Sequence, residues 1–276
     1  MNRLFVVNKP IFVSSNNYMY HIKRKYGTKK VGFSGTLDPF ATGCLIVATG
    51  TFTKFFQYLQ KAPKVYRATM WLGVESNSLD IENVTTINEV KELDISNIKE
   101  IINSFKGKHT YHPPKYSAKK INGKKAYELA REDKEVNLKE IITTVYDIKL
   151  LNYNHPFLSF EISVSEGGYI RSLAQIIADK LKIKATLSSL ERVSEGMFKY
   201  ENEKALNPYE YLKISKNIFL DDYENINLGK KLSIGQFDIK SDGVYLVESD
   251  AFYSIIEIKN GVVKYRLNRL PKEWSK

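Results

Sequence analysis

The chain has 276 residues, 43% of them hydrophobic and 26% charged, which excludes a disordered chain and leaves room for one large domain and a smaller one. Forty-two Lys and Arg against 31 Asp and Glu give a formal charge of +11, favouring a polyanionic partner, nucleic acid before anionic membrane. A single cysteine, Cys44, excludes an intrachain disulfide, no Cys/His cluster has metal-ligand spacing, and no apolar run could cross a membrane, so a cytoplasmic, metal-free protein is expected.

Residues 4–7 read as a short strand ended by Asn8-Lys9-Pro10. Ser14 or Ser15 can cap a helix through about Tyr26, with Gly27 as its stop. Residues 32–43 hold three glycines and an Asp38-Pro39 step, followed by the apolar run 44–48. Glycine permits positive φ, and proline biases Asp38 away from the helical region, so a shaped loop should hold one carboxylate at the mouth of a sheet. Taken alone, Asp-Pro is also an ordinary turn starter.

Phe52, Phe55, Phe56 and Leu59 have helical spacing after Gly50. Residues 64–73 alternate as a strand that puts Tyr66, Ala68, Met70 and Leu72 on one face. Residues 75–96 read as a loop, 98–105 as a helix, 119–125 as a basic hairpin tip and 126–131 as a short helix. Two strands over 141–152 and 160–164, a helix over 169–181 after Gly167-Gly168, and a strand over 186–193 complete this part. Beyond residue 222 come strand-like runs at 232–237, 243–247, 254–258 and 262–267, with Asn260-Gly261 as a hairpin signal. The fold expected is an α/β (α+β) body with a mixed, mostly antiparallel sheet over 1–222, then a small β-barrel-like module over 223–276.

Asp38 can serve as an anionic nucleophile without a cofactor. A carboxylate in a closed pocket tends to take a proton, and Arg171 is placed to oppose this, because a guanidinium matches a carboxylate bidentately. Tyr66, beside basic residues on a strand, offers a ring to stack on a base; core packing with a satisfied hydroxyl is the plainer alternative.

Gly32-Phe33-Ser34-Gly35-Thr36-Leu37-Asp38-Pro39-Phe40-Ala41-Thr42-Gly43 resembles the catalytic-loop motif of the bacterial tRNA pseudouridine-55 synthases, the TruB family. Asn8-Lys9-Pro10, Lys64-Val65-Tyr66-Arg67, Pro114-Lys115-Tyr116-Ser117-Ala118-Lys119, Gly168-Tyr169-Ile170-Arg171 and Leu190-Glu191-Arg192 resemble further motifs of that family in the same order. The resemblance implies a pseudouridine-synthase fold with a short PUA-like RNA-binding module. It implies isomerisation of uridine-55 in the TΨC arm of tRNA by a cytoplasmic monomer without cofactor. Asp38, Tyr66 and Arg171 would be catalytic, and Asp38 would attack C1′ of the ribose or C6 of the base. Phe33, Tyr66, Tyr169 and Leu190 would contact the extruded nucleotide. Phe33 stands where the motif carries histidine, so stacking survives there and imidazole hydrogen bonding does not. Lys9, Lys64, Lys119, Lys124 and Arg131 are candidates for RNA contact. A non-catalytic tRNA-binding or folding module is the alternative from another class. A synthase acting on rRNA in a guide-RNA complex is disfavoured by the short C-terminal part.

Overall fold

In chain order the elements of the body are β1 (Arg3–Lys9), α1 (Ser15–Lys25), β2 (Val31–Ser34), β3 (Thr42–Thr49), β4 (Lys64–Leu72), β5 (Val74–Ser76), β6 (Val84–Ile87), α2 (Ile95–Asn103), β7 (Gly107–Tyr111), β8 (Lys120–Ile121), β9 (Lys124–Lys125), α3 (Ala126–Arg131), β10 (Ile141–Asn154), β11 (Phe157–Val164), α4 (Ile170–Lys180), β12 (Ala185–Glu195) and β13 (Phe198–Lys199). This is a computed structural model describing residues 1–132 and 134–274. The main sheet runs β1-β3-β12-β4-β11-β10-β7, with β2 on β3 and β13 on β12. Every pairing in it is antiparallel except the short one between β12 and β3.

That exception positions the site. β3 gives one edge to β1 and divides the other: residues 46–49 pair with β2, and Thr42 and Gly43 pair with Glu191 and Arg192 of β12. The loop carrying Asp38 leaves β2 and enters β3 at this fork. Gly43 has φ 102°, and a Cβ there would lie 2.4 Å from the Arg192 carbonyl oxygen, so only glycine closes the seam.

β1 and β3 read as unbroken apolar runs because both their faces are covered. Phe5, Val7, Leu45 and Val47 join the core packed against α1, α2 and α4. Leu4, Val6, Cys44, Ile46 and Ala48 face the other way, onto Phe52, Phe55 and residues of the C-terminal sheet, Leu246, Ile255 and Leu270. Each of the Val, Leu, Ile and Phe side chains among them contributes about 1.5–3 kcal/mol. The C-terminal sheet consists of β14 (Ser215–Lys216), β15 (Gly243–Glu248), β16 (Phe252–Lys259) and β17 (Val262–Pro271), so its first strand precedes residue 223. Asn260 and Gly261 both take positive φ in the turn between β16 and β17.

The mixed, mostly antiparallel body followed by a smaller sheet is the architecture the sequence predicts, but several elements differ. Residues 50–59 do not form an α-helix. Gly50 takes φ 60°, its N–H is held by the Lys30 carbonyl, and a 3-10 turn covers Gly50–Phe55. The segment 75–96, expected as a loop, folds into the β5–β6 pair around a 3-10 turn at Ile81–Asn83. Residues 232–237 are a 3-10 turn at Ile234–Gln236 rather than a strand, because Gln236 Oε1 takes the Ser233 N–H and bends the chain. Strands β2 and β7 were not expected at all. β2 is four residues inside a glycine-rich motif, and β7 exists only by pairing with β10.

Candidate active site

Two separate sets of bonds fix the loop before β3. Lys9 Nζ donates to the carbonyls of Pro10 and Val13 at 2.7 Å and of Pro39 at 3.2 Å. Ser15, at the start of α1, donates its hydroxyl to the Leu37 carbonyl and accepts the Leu37 N–H, both at 3.0 Å. Both chain neighbours of Asp38 are therefore anchored, Leu37 by Ser15 and Pro39 by Lys9. Lys9 is fully buried, and burial lowers its ammonium to about 8. This corrects its expected role: three carbonyls hold the ammonium inside the protein, out of reach of a phosphate.

Arg171 lies in the first turn of α4. The Tyr169 N–H at the head of this helix is satisfied by the Tyr111 hydroxyl at 2.9 Å. Arg171 Nη2 sits 2.9 Å from Asp38 Oδ2, and Nη1 sits 3.3 Å from Asp80 Oδ2. The guanidinium also donates to the Ser78 carbonyl at 2.6 Å and the Tyr116 carbonyl at 2.8 Å. Arg171 and Asp80 are buried, whereas the Asp38 side chain keeps 32% of its surface open to the cavity. One cation thus serves two carboxylates, one structural and one facing the cavity. Burial pushes the Asp38 carboxyl above the ordinary carboxylate range; Arg171 opposes this and Asp80 adds to it.

Two cavities meet at Asp38 and Arg171. The smaller, of about 300 Å³, is lined by Tyr66, Tyr169 and Leu190 together with Lys64 and Lys119. The larger, of about 980 Å³, opens between Phe33, Pro39, Tyr116, Lys125, Tyr127 and Arg131. Asp38, Tyr66, Arg171, Tyr169 and Leu190, predicted separately, are thereby brought to one chamber. Phe33 and Arg131 line the adjoining groove instead, and Lys124 is exposed on β9 beside it. Lys64 is buried and paired with Glu195 at 3.1 Å, so it faces whatever enters the small cavity and not the outer surface.

Sequence reasoning assigned no role to three of the charged groups here. Asp80 sits in a stretch read as loop, and only the fold shows that Ser78 and Arg171 surround it. Arg192 and Glu195 lie under the small cavity. Arg192 donates to the carbonyls of Cys44 and Gly35 at 2.8 Å, stands opposite Tyr66 in the β12–β4 register, and pairs with Glu195 at 3.3 Å. Glu195 stands opposite Lys64 in the β12–β4 register. Opposite charges on two strands were visible, but their facing each other depends on strand order.

The chain matches the model of the TruB family pseudouridylate synthase (N terminal domain) over residues 23–170. A tRNA pseudouridine synthase B of Sulfurovum sp. (strain NBC37-1) is 63% identical over 272 residues, covering 99% of this chain and 98% of that protein. The protein of the same name from Campylobacter concisus (strain 13826) is 52% identical over 272 residues, covering 99% of this chain and 100% of that protein. Among solved structures, a Cbf5-Nop10-Gar1 complex aligns with a TM-score of 0.70 at 20% identity, covering 99% of this chain and 86% of that one, which is a likeness of fold. An H/ACA RNP bound to a substrate RNA containing 2′-deoxyuridine aligns with a TM-score of 0.68 at 19% identity, covering 99% and 87% of the two chains. With the family model matched across more than half its length and these identities along nearly all of it, the chain belongs to the TruB family of pseudouridylate synthases.

Proposed function

We infer that this protein converts uridine to pseudouridine in tRNA, at position 55 of the TΨC arm, with Asp38 as the nucleophile. The observation that carries this reading is the Arg171–Asp38 ion pair, 2.9 Å long, at the mouth of a cavity of about 300 Å³. That space suits one extruded nucleotide, with the Tyr66 and Tyr169 rings as replacement stacking surfaces. The ionised Asp38 oxygen attacks C1′ or C6, and the bond between C1′ and N1 breaks. The freed uracil turns and C5 bonds to C1′; the bond from the Asp38 oxygen to C1′ or C6 breaks in turn and returns the carboxylate, while the C5 proton leaves and N1 takes one up. No redox partner is needed, because the product is an isomer of the substrate. Tyr66, opposite Arg192 in the β12–β4 register, stacks on the base and moves the C5 proton.

Lys119 and Arg131 at the two cavities and Lys124 on the neighbouring hairpin position the RNA through phosphates. The protein acts as a cytoplasmic monomer, with a catalytic body and, from β14 at Ser215 onward, a short RNA-binding module. Incubating the purified protein with unmodified tRNA and mapping pseudouridine by position tests this. One modified site, at position 55, is expected; absence of product, or product only elsewhere, overturns the assignment. Binding to the same tRNA should weaken with salt, with a log–log slope of about −2 to −3 for three phosphate contacts. A flat salt dependence would remove those contacts from the account.

A further inference from the structure

Phe12 combines a strained backbone with an exposed ring. Its φ is 61°, in the left-handed region that favours glycine, yet it is a bulky aromatic residue. Its ring is not buried: 64% of its surface is exposed, and Ile11 beside it is 44% exposed. An exposed apolar ring in a strained conformation gains little from folding, and glycine at this position would remove the strain. A side chain of this kind is explained by a partner that covers it.

Its placement names the partner. The Phe12 N–H donates to the Pro39 carbonyl at 2.7 Å, so the turn bearing the ring is tied to the residue after Asp38. Lys9 fixes the same turn from beneath through Pro10, Val13 and Pro39. The chain then enters the large cavity through Ser14 and Ser15, which line it with Asp38, Pro39 and Phe33. The ring is therefore carried by an anchored turn whose neighbours Pro39, Ser14 and Ser15 line the groove that opens onto the nucleophile. The chain is strongly basic, and an RNA that surrenders one base to the small cavity leaves its neighbours without a stacking partner.

We propose that Phe12 is an RNA-contact residue, stacking on an unpaired nucleobase next to the nucleotide that enters the cavity. The inference rests on the function proposed above. It gives the Asp38 loop a second role: the turn that fixes the nucleophile also fixes the ring, so RNA docked on Phe12 is registered against the reacting carboxylate. Phe33 lies within the groove, and Phe12 would add a second stacking ring on the turn bonded to Pro39.

The test uses Phe12→Gly and Phe12→Leu in the full chain, assayed with unmodified tRNA for Kd, KM, kcat and Tm. Phe12→Gly relieves the φ strain, so its Tm should stay the same or rise, while Kd and KM rise roughly 5- to 100-fold, as for loss of one base–aromatic stack. Phe12→Leu keeps an apolar side chain but not the ring, and should show most of the same loss. A tRNA carrying a fluorescent adenine analogue in the loop should be quenched by the wild-type protein and not by Phe12→Gly. Unchanged Kd and KM in both variants overturn the proposal, as does a fall in Tm without a change in affinity. Wild-type turnover on the same tRNA reports separately on the function itself.

Discussion

Asp38→Asn is expected to abolish pseudouridine formation, by on the order of 10⁴-fold or more, while tRNA binding stays within a few-fold of wild type. The amide has the shape of the carboxylate but no anionic oxygen, so it can fill the cavity without attacking C1′ or C6. The fold should tolerate it. The loop is fixed by Lys9 and Ser15 through backbone groups, and Arg171 keeps Asp80, Ser78 and Tyr116 as partners. The change should raise Tm at neutral pH. Burial raises the folded-state Asp38 ionisation above its unfolded value, so its contribution to stability is fully present below the unfolded carboxylate range and is lost as pH rises from there through the higher folded-state ionisation. Catalysis has the opposite requirement. Activity of the wild type should rise with pH through an ionisation lying above the ordinary carboxylate range. Product formation by purified Asp38→Asn at a rate near wild type would refute the assignment of the nucleophile.

The elements that were legible from sequence are those whose signal is local. The β4 alternation buries Tyr66, Ala68, Met70 and Leu72 on one face, and the Ser14 cap starts α1 with its side chain accepting from the Asn17 N–H. The Asn122-Gly123 turn lies between β8 and β9 in the basic hairpin. The Asp38–Arg171 pairing was an expectation from chemistry, and it is present as an ion pair. The unread part is what only tertiary contact creates. Asp80 is hydrophilic and lies among turn residues, so no pattern could announce that it is buried against Arg171. Lys9 and Lys64 look like surface cations in sequence; Lys64 is drawn inward by the distant Glu195, and Lys9 by the carbonyls of Pro10 and Val13 nearby and of Pro39 across the fold. The fork of β3 between β2 and β12 follows from a parallel pairing of two residues, too short to leave any periodicity.

Arg171→Ala is expected to lose activity on the scale of Asp38→Asn and, unlike it, to unfold at a lower temperature. Removing the guanidinium leaves Asp80 buried beside Asp38 with no cation between them, and strips a donor from the carbonyls of Ser78 and Tyr116. Breaking one side of a buried ion pair costs about 3–5 kcal/mol, equivalent to a fall in Tm of roughly 10 °C. Protonation is the cheapest relief for two uncompensated carboxylates, so Asp38 loses the charge that attack requires. Arg171→Lys separates charge from geometry. An ammonium is a point charge and cannot fork between two carboxylates, so this variant should be more stable than Arg171→Ala yet remain far below wild type in kcat. Adding Asp80→Ala to Arg171→Ala should restore part of the lost Tm and none of the activity, because it removes the stranded buried charge without returning the cation to Asp38. Recovery of turnover in that double variant would mean that Arg171 serves the fold alone, and that Asp38 reacts without a partner.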